Sequence, residues 1–306
     1  MSVKAWKRVI TLFVIIIIIT LLSTSIILYQ KHDKLSETYN SLLDNEYLVD
    51  ISEYGFLSES EISEFFAYKN KHNVAETLSY QKEYPDLYVE NDFIFTDSPD
   101  EKVCYLTFDD GPDESNTEKI LDTLKKYDVK ATFFVVYKDS AEARALYKRI
   151  VKEGHTIAVH TASHNYDKIY ASVDDYLRDF QRISNHIESI TGYKPEIFRF
   201  PGGSVNTYNS GIYQQLISEM LRRGYTYYDW NVSSGDTASF NVSKETILDN
   251  ILQRNDNISK KIILMHESAG HSATVNALPQ VIESLEARGY ELRALTNDVQ
   301  PICFAY

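Results

Sequence analysis

From Val103 onward, short apolar runs and amphipathic stretches take turns along the chain. The runs at 103–106, 131–136, 156–159, 197–200, 225–230, 261–265 and 291–295 have the length and content of buried strands. Between them, 115–127, 141–152, 173–190, 213–222, 244–252 and 278–288 carry apolar residues at helical spacing, as with Ile120, Leu121 and Leu124. Strands alternating with helices imply a parallel sheet with right-handed crossovers. Seven such units can close a small α/β barrel, one unit short of the usual eight.

Upstream the pattern changes. Residues 9–28 hold no charge, no Gly and no Pro, and are long enough to cross a bilayer. Lys4, Lys7 and Arg8 precede them, which places residues 1–8 in the cytoplasm, although Lys31 and Lys34 make the asymmetry modest. A cleaved signal peptide with a small-residue site at Ser23-Thr24-Ser25 is the rival, in which case the protein is secreted; apolar residues continuing through Leu28 favour a retained single-pass anchor. Both place the remainder outside the membrane. Residues 29–100 are acidic, rich in Tyr and poor in Gly and Pro, and fit a stalk or small helical lead-in. Ser98-Pro99-Asp100 is a turn signal and marks the boundary with the domain at 101–306.

Composition narrows the partners. A formal net charge of −13 argues against nucleic acid and against a basic patch for anionic lipid, while 43% hydrophobic residues provide for a core. Cys104 and Cys303 could pair outside the membrane or stay as buried thiols, and spacing leaves both open. Oligomeric state is not written in the sequence.

Candidate chemistry gathers at the ends of the predicted strands, the edge where α/β folds build sites. The first strand runs into Thr107-Phe108-Asp109-Asp110-Gly111-Pro112, which delivers two adjacent carboxylates. His160 and His164 follow another strand, and imidazoles four residues apart on one side of a helical turn can share a metal. Asp110 would complete a face of two His and one carboxylate with open positions, the form expected of a catalytic ion. Arg199 ends the next strand, beside Gly202 and Gly203. Placed next to a carboxylate, it would lower that group's pKa and fix its direction, while a glycine N–H could face an oxyanion. Trp230 opens a polar turn that ends in Asp236, and the apolar run 262–265 delivers His266.

Taken in order, these motifs resemble the five motifs of the polysaccharide deacetylases, carbohydrate esterase family 4, over about residues 102–295. The resemblance implies a distorted (β/α)7 barrel of that type behind an N-terminal transmembrane helix and stalk. It also implies a hydrolase acting on linear amides, one that removes acetyl groups from an N-acetylated polysaccharide. Carried over by position, Asp109 is the general base, oriented by Arg199, and His266 is the general acid, tuned by Asp236. Asp110, His160 and His164 hold a divalent metal, zinc first, with cobalt or nickel as alternatives. Gly202, Trp230 and Leu264 contact substrate, Leu264 lining the acetyl-methyl pocket. A membrane anchor with a stalk makes N-acetylglucosamine of cell-wall peptidoglycan the first expectation, with chitin-like or O-acetylated glycans as alternatives.

Two positions depart from the family pattern. Many members carry an aromatic residue after the proline of the third motif, where this chain has Gly202; many carry a Trp after the acid of the fourth, where it has Thr237. One wall of the groove is then expected to be missing, and sugar stacking falls to Trp230, Tyr227 or Tyr228. Other classes compete less well. A barrel glycosidase needs carboxylates facing each other across a bond, which sequence neighbours do not supply. A receiver-type phosphoacceptor has no kinase or ATP outside the membrane. A membrane-anchored glycan-binding protein that has lost activity would lack a base or a ligand, and none is missing.

Overall fold

The computed structural model describes residues 58, 78–97, 101–238, 242–253, 255 and 257–304. The anchor expected over 9–28 and most of the expected stalk lie outside them. Among the described residues no helix is long and apolar enough to cross a membrane.

The elements follow one another as α1 (Ser79–Lys82), β1 (Val103–Gly111), α2 (Asn116–Tyr127), β2 (Thr132–Val136), α3 (Ala141–Lys152), β3 (Thr156–Thr161), α4 (Tyr166–Ile169) and α5 (Val173–Thr191). Then come β4 (Ile197–Phe198), α6 (Tyr213–Arg222), β5 (Thr226–Tyr227), β6 (Val232–Ser233), α7 (Lys244–Leu252), β7 (Lys260–His266), α8 (Ser272–Ala287) and β8 (Glu291–Arg293). All pairings among the described strands are parallel, in the order β5-β4-β3-β2-β1-β7-β6, with β8 against the first half of β1. The sheet is a curled half-barrel, consistent with the expected (β/α)7 type, and its end strands β5 and β6 share no ladder.

Side-chain alternation along β1 explains how the core and the site share one strand. Cys104, Leu106 and Phe108 join the larger apolar cluster beneath the helices, with Ile120, Leu121 and Leu124 of α2. Val103 and Tyr105 point the other way, into a smaller cluster with Phe134, Trp230, Ile262 and Leu264 on the inner face of the curl. Thr107 and Asp109 continue that inner row.

Helix ends are set locally. Ser140, Ser172 and Ser243 accept N–H bonds from Ala143, Asp175 and Thr246, and so cap α3, α5 and α7. Gly192 ends α5 in the left-handed conformation. Three expected elements differ from the pattern. The strands expected at 197–200 and 225–230 shrink to two residues each, because the guanidinium of Arg199 takes the carbonyls of Tyr228 and Asp229 that a longer ladder would use. Helix α8 begins before the expected 278 and runs through Pro279, its buried face extended upstream by Thr274 and Ala277.

Residues 78–97, expected to belong to the lead-in, lie against the barrel. Arg223, wholly buried, donates to the carbonyls of Tyr80, Glu83, Tyr84 and Leu87 at 2.9–3.2 Å. Val89 N–H donates to Arg223 O at 3.0 Å, and Asp97 pairs with Lys260 at the start of β7. Cys104 and Cys303 are buried free thiols.

Candidate active site

The C-terminal end of β1 brings two neighbouring carboxylates to one edge, which a regular strand cannot do, since successive side chains point to opposite faces. The register against β2 shifts between Asp109 and Gly111, and Asp110 adopts a φ of 70°. That bulge turns Asp110 to the same rim as Asp109.

Asp109 is buried, and Arg199 holds it. The Arg199 Nη1 donates to Asp109 Oδ1 and to Thr107 Oγ1, both at 2.8 Å. Its Nε donates to Tyr228 O at 2.9 Å, and its guanidinium lies 4.2 Å from the Phe134 ring centroid and 5.6 Å from that of Trp230. With no freedom left, the arginine supplies fixed charge on one side of the carboxylate. On the neighbouring strand His266 stands in register with Asp109.

Asp110, His160 and His164 form the second group. Their potential ligand atoms all lie within 4.8 Å of one another, with Asp110 Oδ1 at 3.5 Å from His160 Nε2 and 3.1 Å from His164 Nε2. The expected helical turn is not what joins the histidines. His160 sits on β3, and the chain then turns so that His164 takes a φ of 48°. Asp179 of α5 makes this turn: it accepts from Thr161 Oγ1 at 2.5 Å and from the N–H groups of Ala162 and Ser163 at 2.6 and 2.9 Å. The Nδ1 of His160 lies 3.0 Å from Arg199 O; donating there leaves the Nε2 lone pair facing Asp110. Burial lowers the His160 pKa and keeps that ring neutral. Burial alone would raise the Asp110 pKa, but His164 and His160 outweigh it and hold the carboxyl well below the usual range.

Asp110 Oδ1 is buried with no hydrogen-bond partner. A buried carboxylate oxygen in that state beside two imidazole nitrogens fits a divalent cation. Two imidazoles and one carboxylate suit zinc, cobalt or nickel and leave positions open for water and substrate.

The third group is His266 and Asp236. Asp236 Oδ1 lies 2.8 Å from His266 Nδ1, while its Oδ2 accepts from His266 N–H and Thr274 Oγ1, both at 2.7 Å. Burial pulls the histidine pKa down, yet Asp236, aided by Asp110 and Asp109, raises it to about 9. Asp236 falls to about 2: burial opposes the change, and His266 drives it. Along one sheet edge there are thus a carboxylate braced by arginine, a cluster of one carboxylate and two imidazoles that fits a divalent cation, and a histidine paired with a carboxylate.

The expected substrate contacts fare differently. Leu264 is nearly buried on β7, inside the inner cluster. Gly202 has a φ of 74° and is half-buried at the rim. Trp230 is a correction. It is 5% exposed, with its ring 5.0 Å from that of Phe304 at 80° and beside Arg199, so it braces the arginine and presents no stacking face. Tyr227 and Tyr228 are wholly buried and cannot serve either.

Glu267 was not expected in the site. It is buried, its Oε2 accepts from Thr117 Oγ1 at 2.6 Å, and its Oε1 has no hydrogen-bond partner. Burial raises its pKa to about 8, so it stands mostly as a neutral acid behind the Asp109-Asp110-Gly111 turn. A Cβ on Gly111 would lie 1.6 Å from Glu267 Oε1, which explains the glycine. Neither Asp179 nor Glu267 belongs to a motif, and adjacency to His266 was the only available signal for Glu267.

Residues 96–221 match the family described as polysaccharide deacetylase. A peptidoglycan-N-acetylglucosamine deacetylase of Bacillus cereus is 34% identical over 63% of this chain and 69% of its own. The peptidoglycan-N-acetylmuramic acid deacetylase PdaC of Bacillus subtilis is 34% identical over 64% of this chain and 38% of its own. Among solved structures, the catalytic domain of a peptidoglycan N-acetylglucosamine deacetylase from Eubacterium rectale superposes with a TM-score of 0.64 at 38% identity, covering 68% of this chain and 94% of that one.

Proposed function

Since this chain belongs to the polysaccharide deacetylase family, a family of hydrolases, we propose that it removes N-acetyl groups from N-acetylglucosamine of cell-wall peptidoglycan. The observation that carries the reading is the convergence on one edge of Asp109 braced by Arg199, the Asp110, His160 and His164 cluster, and His266 charged by Asp236. The relatives named for peptidoglycan deacetylation support the substrate. The apolar segment at 9–28 supports a membrane-anchored enzyme working outside the cell.

An amide is a weak electrophile with a poor leaving group, so hydrolysis needs help on both sides of the carbonyl. A divalent ion on Asp110, His160 and His164, zinc first with cobalt or nickel as alternatives, would polarise the acetyl carbonyl and acidify an attacking water. Asp109 takes a proton from that water, and Arg199 keeps the carboxylate ionised and aimed for the task. His266 donates a proton to the amine nitrogen as the carbon–nitrogen bond breaks, leaving acetate and a free amine on the sugar. Asp236 keeps that proton on His266 until then. The neighbouring register of Asp109 and His266 lets base and acid flank one reacting carbon.

The test is acetate release by the full chain from peptidoglycan and from N-acetylglucosamine oligomers, after chelation and again after adding zinc or cobalt. Metal-restored release that vanishes in Asp109→Asn is the expected result. A folded, metal-loaded protein that releases nothing from either substrate would overturn the reading in favour of a glycan-binding protein.

A further inference from the structure

Gly202 stands where many family members place an aromatic wall, and the structure shows what fills the space. A Cβ on Gly202 would lie 2.9 Å from Tyr166 Cε1, so the glycine is what lets the Tyr166 ring in. Tyr166 packs edge-on against the His164 ring at 5.3 Å and carries Tyr208 on its other side at 5.0 Å. Tyr166 is buried, whereas Tyr208 is 41% exposed, the one aromatic among the well-exposed large hydrophobic side chains of the described residues. Two ring-to-ring steps therefore lead from a candidate metal ligand to an exposed aromatic surface.

That surface is built on a fixed loop. Asn206 and Asn209 brace each other: Asn206 N–H donates to Asn209 Oδ1 at 2.8 Å, and Asn209 N–H to Asn206 Oδ1 at 3.1 Å. The Asn206 side chain also donates to Pro201 O and Gly203 O, and its Oδ1 accepts from Tyr208 N–H at 2.9 Å. Tyr170 OH donates to Pro201 O at 2.7 Å, anchoring the start of the loop. An exposed ring on so constrained a backbone loses little freedom when a ligand covers it.

We propose that Tyr208, seated on Tyr166, is a stacking platform for a pyranose ring of the glycan next to the sugar that loses its acetyl group. The apolar C–H face of a hexose suits an aromatic ring, and the Asp110, His160 and His164 cluster two rings away would fix which sugar lies over it. The platform thus replaces the wall that Gly202 omits, from the opposite end of the same loop. The proposal rests on the deacetylase reading for the identity of the ligand.

Kinetics of the full, metal-loaded chain on N-acetylglucosamine pentamer and dimer test it, with Tyr208→Ala and Tyr208→Phe. Loss of the ring should raise KM for the pentamer roughly three- to tenfold with kcat little changed, and less so for the dimer, and Phe should restore it. Equal KM values for wild type and Tyr208→Ala on the pentamer would overturn the proposal. If wild type releases no acetate, the deacetylase reading fails separately, and calorimetric binding of the pentamer then decides. Weaker binding by Tyr208→Ala than by wild type or Tyr208→Phe supports the platform, and no difference, or no binding by wild type, refutes it.

Discussion

Replacing Asp236 by Asn should leave the enzyme nearly normal in mild acid and progressively crippled as pH rises. The imidazole of His266 ordinarily titrates at 6.5 and is raised here to about 9, although burial pulls it down. That difference amounts to about 3 kcal/mol in favour of the imidazolium. Asp236 itself moves less, from 3.8 to about 2, because Asp110 and Asp109 add to the shift on the histidine and not to its own; its part is about 2 kcal/mol. Without the carboxylate, the still-buried histidine loses that part of its shift and keeps only what Asp110 and Asp109 supply. Near pH 8 the protonated fraction then falls from about nine-tenths to about a quarter, a loss of roughly fourfold in kcat that grows beyond tenfold near pH 9, while near pH 6 the loss is slight. A cation in the site lowers the alkaline limb of both proteins by the same cause, so the separation between them persists. Initial rates of acetate release from about pH 5.5 to 9.5, with an NMR titration of the His266 ring, measure it. Stability should follow the same group. A folded pKa above the free one contributes fully below about 6.5 and is lost as pH climbs through about 9, while the lowered Asp236 contributes above 3.8 and is lost as pH falls through about 2. The Tm gap between wild type and variant is therefore widest from about pH 4 to 6.5 and closes toward 9. A deficit of equal size at every pH would refute the acid–carboxylate argument and reduce Asp236 to a structural brace.

Other parts of the site make separate predictions. Asp179→Ala removes three hydrogen bonds from the turn between His160 and His164, and should weaken zinc affinity roughly 10- to 100-fold in a chelator competition; unchanged affinity would sink the role given to Asp179. Gly111→Ala drives a methyl into the Glu267 carboxyl and should cost about 2 kcal/mol or more, seen as a lower Tm, with partial recovery when Glu267→Ala is added; a Tm equal to wild type would show that the carboxyl moves aside. Arg223→Ala leaves four carbonyls and Glu219 without their buried donor and should cost about 3–5 kcal/mol, with residues 78–97 becoming the first site of limited proteolysis. Proteolysis elsewhere first would mean that this segment is held by other contacts.

Most of the barrel was legible because its helices and strands follow their own periods. The helices at 141–152, 213–222 and 244–252 occur as the apolar spacing predicts, each facing the larger cluster with one side. Periodicity failed where a side chain replaced the ladder. Nothing in the run 225–230 shows that Arg199 will take its carbonyls, or that Arg223 will do the same for the segment around Leu87. A guanidinium can satisfy backbone acceptors that hydrophobic patterning assigns to strands or to solvent, and its partners lie far away in sequence.

The site shows the same division between what is local and what is not. Asp109, Asp110, His160 and His266 lie at strand ends and Arg199 directly follows one, so topology alone carries them to one edge. Their fine placement depends on things a pattern cannot express: a bulge that turns Asp110 around, a left-handed His164, and an aspartate on α5 that ties the turn between the two histidines. Gly202 is the sharpest case. In sequence it reads as a lost aromatic wall, and the nearby aromatics of the run 225–230 look like replacements. Those rings are consumed by packing, Trp230 against Arg199 and Phe304, Tyr227 and Tyr228 in the interior. The space left by the missing side chain goes to Tyr166, which packs on His164 and carries the exposed Tyr208 on its other side. A glycine at such a rim is therefore better read as permission for a neighbour to enter than as an absence, and the neighbour it admits decides what the groove can hold.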